Sequence, residues 1–493
     1  MKNLTPASFL CDFYKTGHKA QYPQGTEKIY STWTPRGSRK DGINKVVALG
    51  LQAFIKKYLI DYFNDNFFNK TKEEVINEYT RVMKYCLNIS KPDFSHIIDL
   101  HDLGYLPIKI KAVKEGTLIP LRVPMLTIEN TIPQFFWVTN FLETLMSSEL
   151  WLPSTAATLA LQYKKIVTKY AQETNGDLSG VPFQCHDFAL RGMGGFECSK
   201  LSGIGHLSSF QGTDTIPAIL YIEDYYNANI EDELIGTSIN ATEHSVQEAY
   251  GKENEAETYR HLIEDVYPNG FVSIVSDTWN LWNVLENILP NLKESIMKRD
   301  GRVVIRPDSG DPIKIICGNP DGKTKLEKKG LIEILWDIFG GTITEKGYKQ
   351  LDTHIGAIYG DAITPERCVA ICESLKEKGF ASTNIVFGVG SFTYQYNTRD
   401  TFCFALKATF AIIKGKEKQI FKDPITDSGV KKSLKGMAVV INKDNKIQCI
   451  DKLGVAERES YKDIDLLEDV FVDGKLLREQ TWSDIRDRIQ ESI

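Results

Sequence analysis

Between about residue 150 and residue 395 a short apolar run repeatedly ends at an acidic, basic or glycine residue, and a helical pattern follows. Six such ends occur: CHDFALRG (Cys185 to Gly192), GTDT (Gly212 to Thr215), FVSIVSD (Phe271 to Asp277), RVVIRPDSG (Arg302 to Gly310), HIGAIYGDAIT (His354 to Thr364) and NIVFGVG (Asn384 to Gly390). Their spacing is mostly about 30 residues, the size of one strand and helix unit. Helix signals agree, since Thr364 and Pro365 form an N-cap followed by proline at the first helical position, and Gly379 lies beyond the last turn of CVAICESLKEKG. Successive units of this kind close most economically into an irregular parallel α/β barrel. A doubly wound open sheet would gather the same strand ends, so convergence of the rim follows from either arrangement and closure from only one.

The flanks have a different texture. GLQAFIKKYLIDYFNDNFF (Gly50 to Phe68) carries apolar positions at helical spacing, and LPIKIKAVKEGTLIP (Leu106 to Pro120) alternates as a strand and turn do. AVVINKDNKIQCIDK (Ala438 to Lys452) reads as a hairpin around Lys443-Asp444-Asn445, ahead of a closing helix from Ser483 to Ile493. Residues 1–150 and 400–493 are therefore expected to form one discontinuous α+β domain, with the barrel occupying 151–399.

A chain of 493 residues, 42% of them hydrophobic, can bury a large core. Its net charge of -6, with 25% charged residues, provides no basic face for nucleic acid, so small molecules are the expected partners. Nine cysteines are scattered singly, without CxxC pairs or zinc-type spacing, and read as reduced, mostly buried thiols of a cytoplasmic protein. The N-terminal apolar run is too short for a signal peptide, and no stretch is apolar for long enough to span a membrane.

On either sheet the residues following the strands meet on one rim, where Asp187, Arg191, Asp214, Asp277, Arg306, Asp308, Gly360 and Asp361 would converge. Arginine forks grip phosphate oxygens, carboxylates hold ribose hydroxyls or Mg²⁺, and glycine N–H groups admit close phosphate approach, so this mixture suits a phosphorylated sugar. SINATEHSVQEAYG (Ser238 to Gly251) sets His244 at the start of an apolar-periodic helix, with Glu243 before it. Helix N-termini attract anions, which makes His244 a candidate nucleophile or phosphate ligand. A hydrogen-bonded helix-start histidine without chemistry fits the same pattern. Asp12-Phe13-Tyr14-Lys15 and the two-arginine loop from Trp33 to Arg39 are either surface or functional.

HDFALRG, GTDT, ATEHS, VSIVSD, IRPDSGDP, YGDAIT, TRD and FKDP, in this order and spacing, resemble the nicotinamide phosphoribosyltransferases, type II phosphoribosyltransferases related to those acting on nicotinate. The similarity runs from CDFYKTGHKAQYP near the N-terminus to KKSLKG near residue 435. It implies synthesis of nicotinamide mononucleotide from nicotinamide and phosphoribosyl pyrophosphate, with Mg²⁺ as cofactor and ATP as co-substrate that phosphorylates His244. Glu243 would orient that imidazole, and Asp308 would join His244 in catalysis. By the same resemblance Phe188 and Tyr14 sandwich the pyridine ring, Tyr14 reaching across a homodimer interface, while Asp214 and Arg306 contact nicotinamide. Arg191, His244, Arg306, Gly360, Asp361, Gly390, Ser391, Arg399 and Lys407 would serve phosphate and pyrophosphate, with Asp277 and Asp308 in the ribose and metal region.

Asp214 separates the closest alternatives, because a carboxylate accepts from the amide of nicotinamide and repels the carboxylate of nicotinate. Three positions depart from the pattern: Ser391 replaces a glycine, Leu190 an aromatic residue, and Ala405 a serine. These bear on phosphate affinity and channel shape. A scaffold that binds nucleotides without turnover is the alternative of another class, and the intact cluster of His244, Arg306 and Asp308 argues against it.

Overall fold

The computed structural model describes residues 4–360, 362–423 and 433–493. By packing, the chain divides into two compact units, Met1–Thr158 with Tyr221–Ala228 and Asn397–Ser492, and Leu159–Leu220 with Asn229–Tyr396.

The second unit is built on seven parallel strands: β1 (Cys185–Asp187), β2 (Gly212–Thr213), β3 (Asn240–Ala241), β4 (Asn269–Val275), β5 (Asp300–Arg306), β6 (Ile355–Tyr359) and β7 (Ile385–Val389). Their spatial order is β2-β1-β7-β6-β5-β4-β3. Thr237, just ahead of β3, pairs with Gly212 of β2 through Thr213 N to Thr237 O at 2.9 Å and Thr237 N to Gln211 O at 2.7 Å. One segment thus joins both edges, and the sheet closes into a parallel barrel. Val272, Ile274, Val303, Ile305, Ile355, Phe387 and Val389 are buried, as strands covered on both faces require.

The six strand ends read from the sequence all terminate strands of this barrel; β3 is additional. It is two exposed residues long, so it carries no apolar run to betray it. Thr364 caps the helix Pro365–Glu377 by accepting from Arg367 N, and Gly379 follows at φ 76°.

The first unit is a seven-stranded antiparallel sheet in the order Lys416–Gln419, Phe404–Ile413, Thr26–Pro35, Leu126–Asn130, Ile108–Ala112, Glu468–Val472 and Lys475–Leu476. N- and C-terminal segments therefore share one sheet, with Trp33 stacked on Phe404 at 5.4 Å. The hairpin forms from Met437–Lys443 and Lys446–Leu453, and Asp444 and Asn445 take the positive φ values that a tight hairpin turn requires. Residues 51–68 are helical, as their periodicity predicts, with Ile55–Tyr62 and Asn64–Phe68 wound as π-helix. The last helix is Trp482–Gln490.

A buried carboxylate ties this unit together. Glu115 accepts from Gly50 N at 2.7 Å, Gln52 N at 2.6 Å and Tyr226 Oη at 3.1 Å, while its own N–H donates to Gln480 Oε1 at 2.9 Å. Gln52 and Gln480 bond each other in both directions. All nine cysteines are free thiols; four are buried, four half-buried and Cys86 exposed, so fewer are buried than expected.

Candidate active site

The C-terminal ends of the barrel strands open into a cleft of about 710 Å³, within the range of small-molecule sites. Phe188, Leu190, Arg191, Asp214, Glu243, Arg306, Asp308, Gly360, Gly390 and Ser391 line it. The rim forms because the polar groups stand at or just after the strand ends, before the next helix turns the chain away.

His244 begins the short helix His244–Tyr250 with Glu243 in the N-cap position. Its Nδ1 meets Thr278 Oγ1 at 2.9 Å, and its Nε2 lies 4.0 Å from both Asp277 Oδ1 and Asp308 Oδ2. The carboxylate of Glu243, expected to orient the imidazole, here accepts from the Ser245 hydroxyl. Thr278, directly after Asp277, takes that part. An N-cap residue one position away directs its side chain back along the first turn, toward residue 245 rather than 244.

Asp277 stands behind the histidine. Its Oδ2 accepts from Asp308 N at 2.9 Å, Ser309 N at 2.7 Å and Ser309 Oγ at 2.5 Å, which fixes the turn after β5. Its Oδ1 is buried and, among the described residues, takes no hydrogen bond. Arg306 donates to Thr242 O at 2.5 Å and holds its Nε 3.5 Å from Asp308 Oδ1. A Cβ on Gly360 would come within 2.1 Å of that same Asp308 oxygen, so any side chain there would push the Asp308 carboxylate from its place.

At the other end of the cleft Asp214 receives His186 Nε2 at 2.8 Å and Ser238 Oγ at 2.6 Å, both on Oδ1. Burial alone would raise this carboxyl, but the bonds from His186 and Ser238 and the charge of Arg306 outweigh it, holding the group below the ordinary carboxylate range. Asp214 is therefore ionised. The His186 ring also lies 4.6 Å from that of Phe188. Asp187, although at a strand end, is buried and structural: it accepts from Ala189 N at 2.9 Å and Thr215 Oγ1 at 2.8 Å, pinning the GTDT turn.

Ser391 packs so close to Gly192 that a Cβ there would meet Ser391 Oγ at 2.0 Å. Tyr14, Arg399 and Lys407 belong to the first unit. Tyr14 is exposed, with its ring 5.2 Å from that of His18. Arg399 lies 3.4 Å from Asp400, and Lys407 is 3.1 Å from Glu143. Lys407 and Ala405 share a basic pocket with Arg36, Arg122 and Lys452. Asp361 lies outside the described residues.

The profile of the Nicotinate phosphoribosyltransferase (NAPRTase) family matches residues 183–474, which include every strand of the barrel and the whole cleft. The chain belongs to this phosphoribosyltransferase family. The profile of the Nicotinamide phosphoribosyltransferase N-terminal domain matches residues 7–110. Among individual relatives, the nicotinamide phosphoribosyltransferase of Acinetobacter baylyi is 47% identical over 98% of this chain and 96% of its own length. That of Mycoplasma pneumoniae is 36% identical over 85% of this chain and 92% of its own. In fold, the chain is similar to nicotinate-nucleotide pyrophosphorylase of Pyrococcus furiosus, with a TM-score of 0.58 at 15% identity over 100% of this chain and 97% of that one. Human nicotinic acid phosphoribosyltransferase matches with a TM-score of 0.52 at 14% identity over 98% and 93%.

For a member of this family, the residues that sequence reasoning passed over are His186, Ser238, Thr278 and Ser309. His186 and Ser238 sit inside motifs already quoted, yet nothing in their spacing tells that both reach one oxygen of Asp214. Among the described residues no helix is long and apolar enough to cross a membrane.

Proposed function

We propose that this chain transfers the phosphoribosyl group of phosphoribosyl pyrophosphate to nicotinamide, giving nicotinamide mononucleotide and pyrophosphate, in keeping with its nicotinamide phosphoribosyltransferase relatives. The observation that carries the choice of substrate is the ionised Asp214 beside Phe188 at the cleft. An ionised carboxylate accepts from an amide N–H, whereas nicotinate would bring a like charge directly against it.

Displacement at the ribose anomeric carbon passes through an oxocarbenium-like state, so the protein must grip the departing pyrophosphate and hold the ring nitrogen in line. Arg191 and Arg306 supply cationic forks for the anion, helped by the backbone at Gly360, Gly390 and Ser391. Phe188, with Tyr14 of a second copy in a homodimer, stacks on a heterocycle that becomes cationic as its bond forms. Asp308 and Asp277 face the ribose. In this reading ATP phosphorylates His244, and loss of that phosphate drives an otherwise unfavourable condensation.

No cluster of three or more His, Cys, Asp or Glu able to hold a metal exists among the described residues, so a cation caged by protein alone does not fit. Mg²⁺ does fit, because it is bound by one or two carboxylates together with substrate phosphates, and Asp277 has a buried oxygen without a partner. Asp277 and Asp308 would hold it, and bound there it would neutralise charge on the pyrophosphate.

The test is nucleotide formation from phosphoribosyl pyrophosphate and Mg²⁺ with nicotinamide or nicotinate, with and without ATP, for wild type and for Asp214→Asn. Nicotinamide turnover stimulated by ATP, with discrimination relaxed in the variant, is the expected result. Preference for nicotinate would overturn the substrate, and product from neither would favour a binding protein. Light scattering at assay concentration is expected to return a dimer; a fully active monomer would rule out the shared site.

A further inference from the structure

Asp214 is held by two donors that come from different strand ends and land on the same atom. His186 lies on β1, and Ser238 lies on the segment that closes the barrel between Thr237 and β3; their distances to Oδ1 are 2.8 and 2.6 Å. Oδ2 receives no donor from the described residues. Because Asp214 is ionised it accepts only, so Nε2 of His186 carries the proton and donates. The same imidazole lies 4.6 Å from the Phe188 ring, inclined by 36°. A Cβ on Gly212, the neighbour of His186 across the β1 and β2 pair, would meet His186 Nδ1 at 2.9 Å, so the ring is confined from behind as well.

We infer that His186 and Ser238 form a clamp that reserves one oxygen of Asp214 for the carboxamide of the substrate and sets that oxygen at a fixed height relative to the Phe188 ring. They are positioning residues, acting through Asp214 and Phe188, and the assignment rests on the nicotinamide reading above. Two donors on one oxygen fix the plane of a carboxylate that would otherwise rotate, so the remaining oxygen presents its lone pairs in a set direction. The same donors offset the burial of the group and keep it charged, which the rejection of nicotinate requires. The charged and titratable groups facing this carboxylate are His186 from β1, Arg306 from β5, and across the cleft Arg191, Glu243 and Asp308.

The experiment compares kcat and KM for nicotinamide and for nicotinate, from pH 8 down to pH 5.5, in wild type, Ser238→Ala, His186→Phe and His186→Gln. His186→Phe keeps an aromatic ring against Phe188 and removes the donor; His186→Gln restores an N–H. Ser238 is exposed, so its alanine variant leaves the core intact and serves where a change at buried His186 prevents folding. Loss of one charge-assisted bond is expected to raise KM for nicotinamide roughly tenfold in Ser238→Ala and in His186→Phe, with kcat changed less and with partial recovery in His186→Gln. With a donor gone, burial lifts the Asp214 carboxyl, so the proportion of nicotinate turned over should climb as pH falls in these variants and stay flat in wild type. Unchanged KM with a flat pH profile in folded Ser238→Ala would overturn the clamp. Loss of kcat on both substrates in equal measure would mean the residues are only structural. Wild type inactive on nicotinamide would instead defeat the functional reading itself, so the two failures are told apart by the wild-type arm.

Discussion

Carboxylates of the two units are used in opposite ways, one buried in the antiparallel unit and two on the open barrel rim. Glu115 of the antiparallel unit has both oxygens occupied by protein donors, from Gly50, Gln52 and Tyr226. On the barrel rim, Asp214 and Asp277 each gather their donors on a single oxygen and keep the other back. Burial raises the Glu115 carboxyl above its ordinary value, the backbone donors and Arg478 only partly offsetting it, whereas the donors of Asp214 bring that group below its own. A carboxylate whose capacity is used up holds the fold. One with capacity to spare, in a cleft, has something left to bind.

If that contrast is right, changes at the rim should remove turnover and spare stability, and changes at Glu115 should do the reverse. The largest effect is expected from Arg306→Ala, with kcat/KM falling about 10²- to 10³-fold through loss of an anion-stabilising donor while the melting temperature changes little. A large drop in melting temperature would show that Arg306 belongs to the structural class.

Next in size, Glu115→Ala leaves the Gly50 and Gln52 N–H groups buried without acceptors and should cost about 3 kcal/mol of stability in denaturant titration, with turnover per folded molecule retained. The raised carboxyl also gives a pH slope. Because the folded value exceeds the ordinary 4.5, the fold binds more protons than the unfolded chain in that window, and stability is lost as pH rises through it. Relative to Glu115→Gln, which cannot titrate, wild type should therefore lose stability between the ordinary value and the raised one; a parallel pair of curves would contradict the assignment.

Gly360→Ala sharpens the comparison within the cleft. Its Cβ would displace Asp308 Oδ1, so a roughly tenfold loss of kcat/KM with near-normal stability is expected, since the far end of a side chain can shift where backbone cannot. The smallest effect is assigned to Ser391→Gly. Removing a hydroxyl packed over Gly192 should change KM for phosphoribosyl pyrophosphate by no more than about threefold, if backbone N–H groups grip the phosphate as proposed. A larger change would make Ser391 a ligand in its own right.

Much of the barrel was legible in the chain because a parallel strand covered on both faces is a nearly continuous apolar run, here followed by polar or glycine residues. Val303 to Arg306 and Ile355 to Tyr359 show this plainly. The same rule hid β3, since Asn240 and Ala241 are exposed and too few to show a pattern. His244 at a helix start was readable from its flanking turn, and Asp214 from GTDT. Adjacency along the chain pointed to Glu243 as the partner of this imidazole and gave no sign of Thr278, which meets it from the far end of β4.

Local sequence alone thus determined the strand and helix punctuation, the acidic and basic character of the rim, and the identity of the histidine, since those depend on interactions spanning a few residues. Only the tertiary structure decided that Thr237 closes the barrel, that Glu115 meets Gly50 and Tyr226, and that His186 and Ser238 share one oxygen of Asp214. Each of these depends on strand order and register, where a shift of one residue turns a side chain to the other face, and short-range periodicity carries no record of which distant segment is opposite.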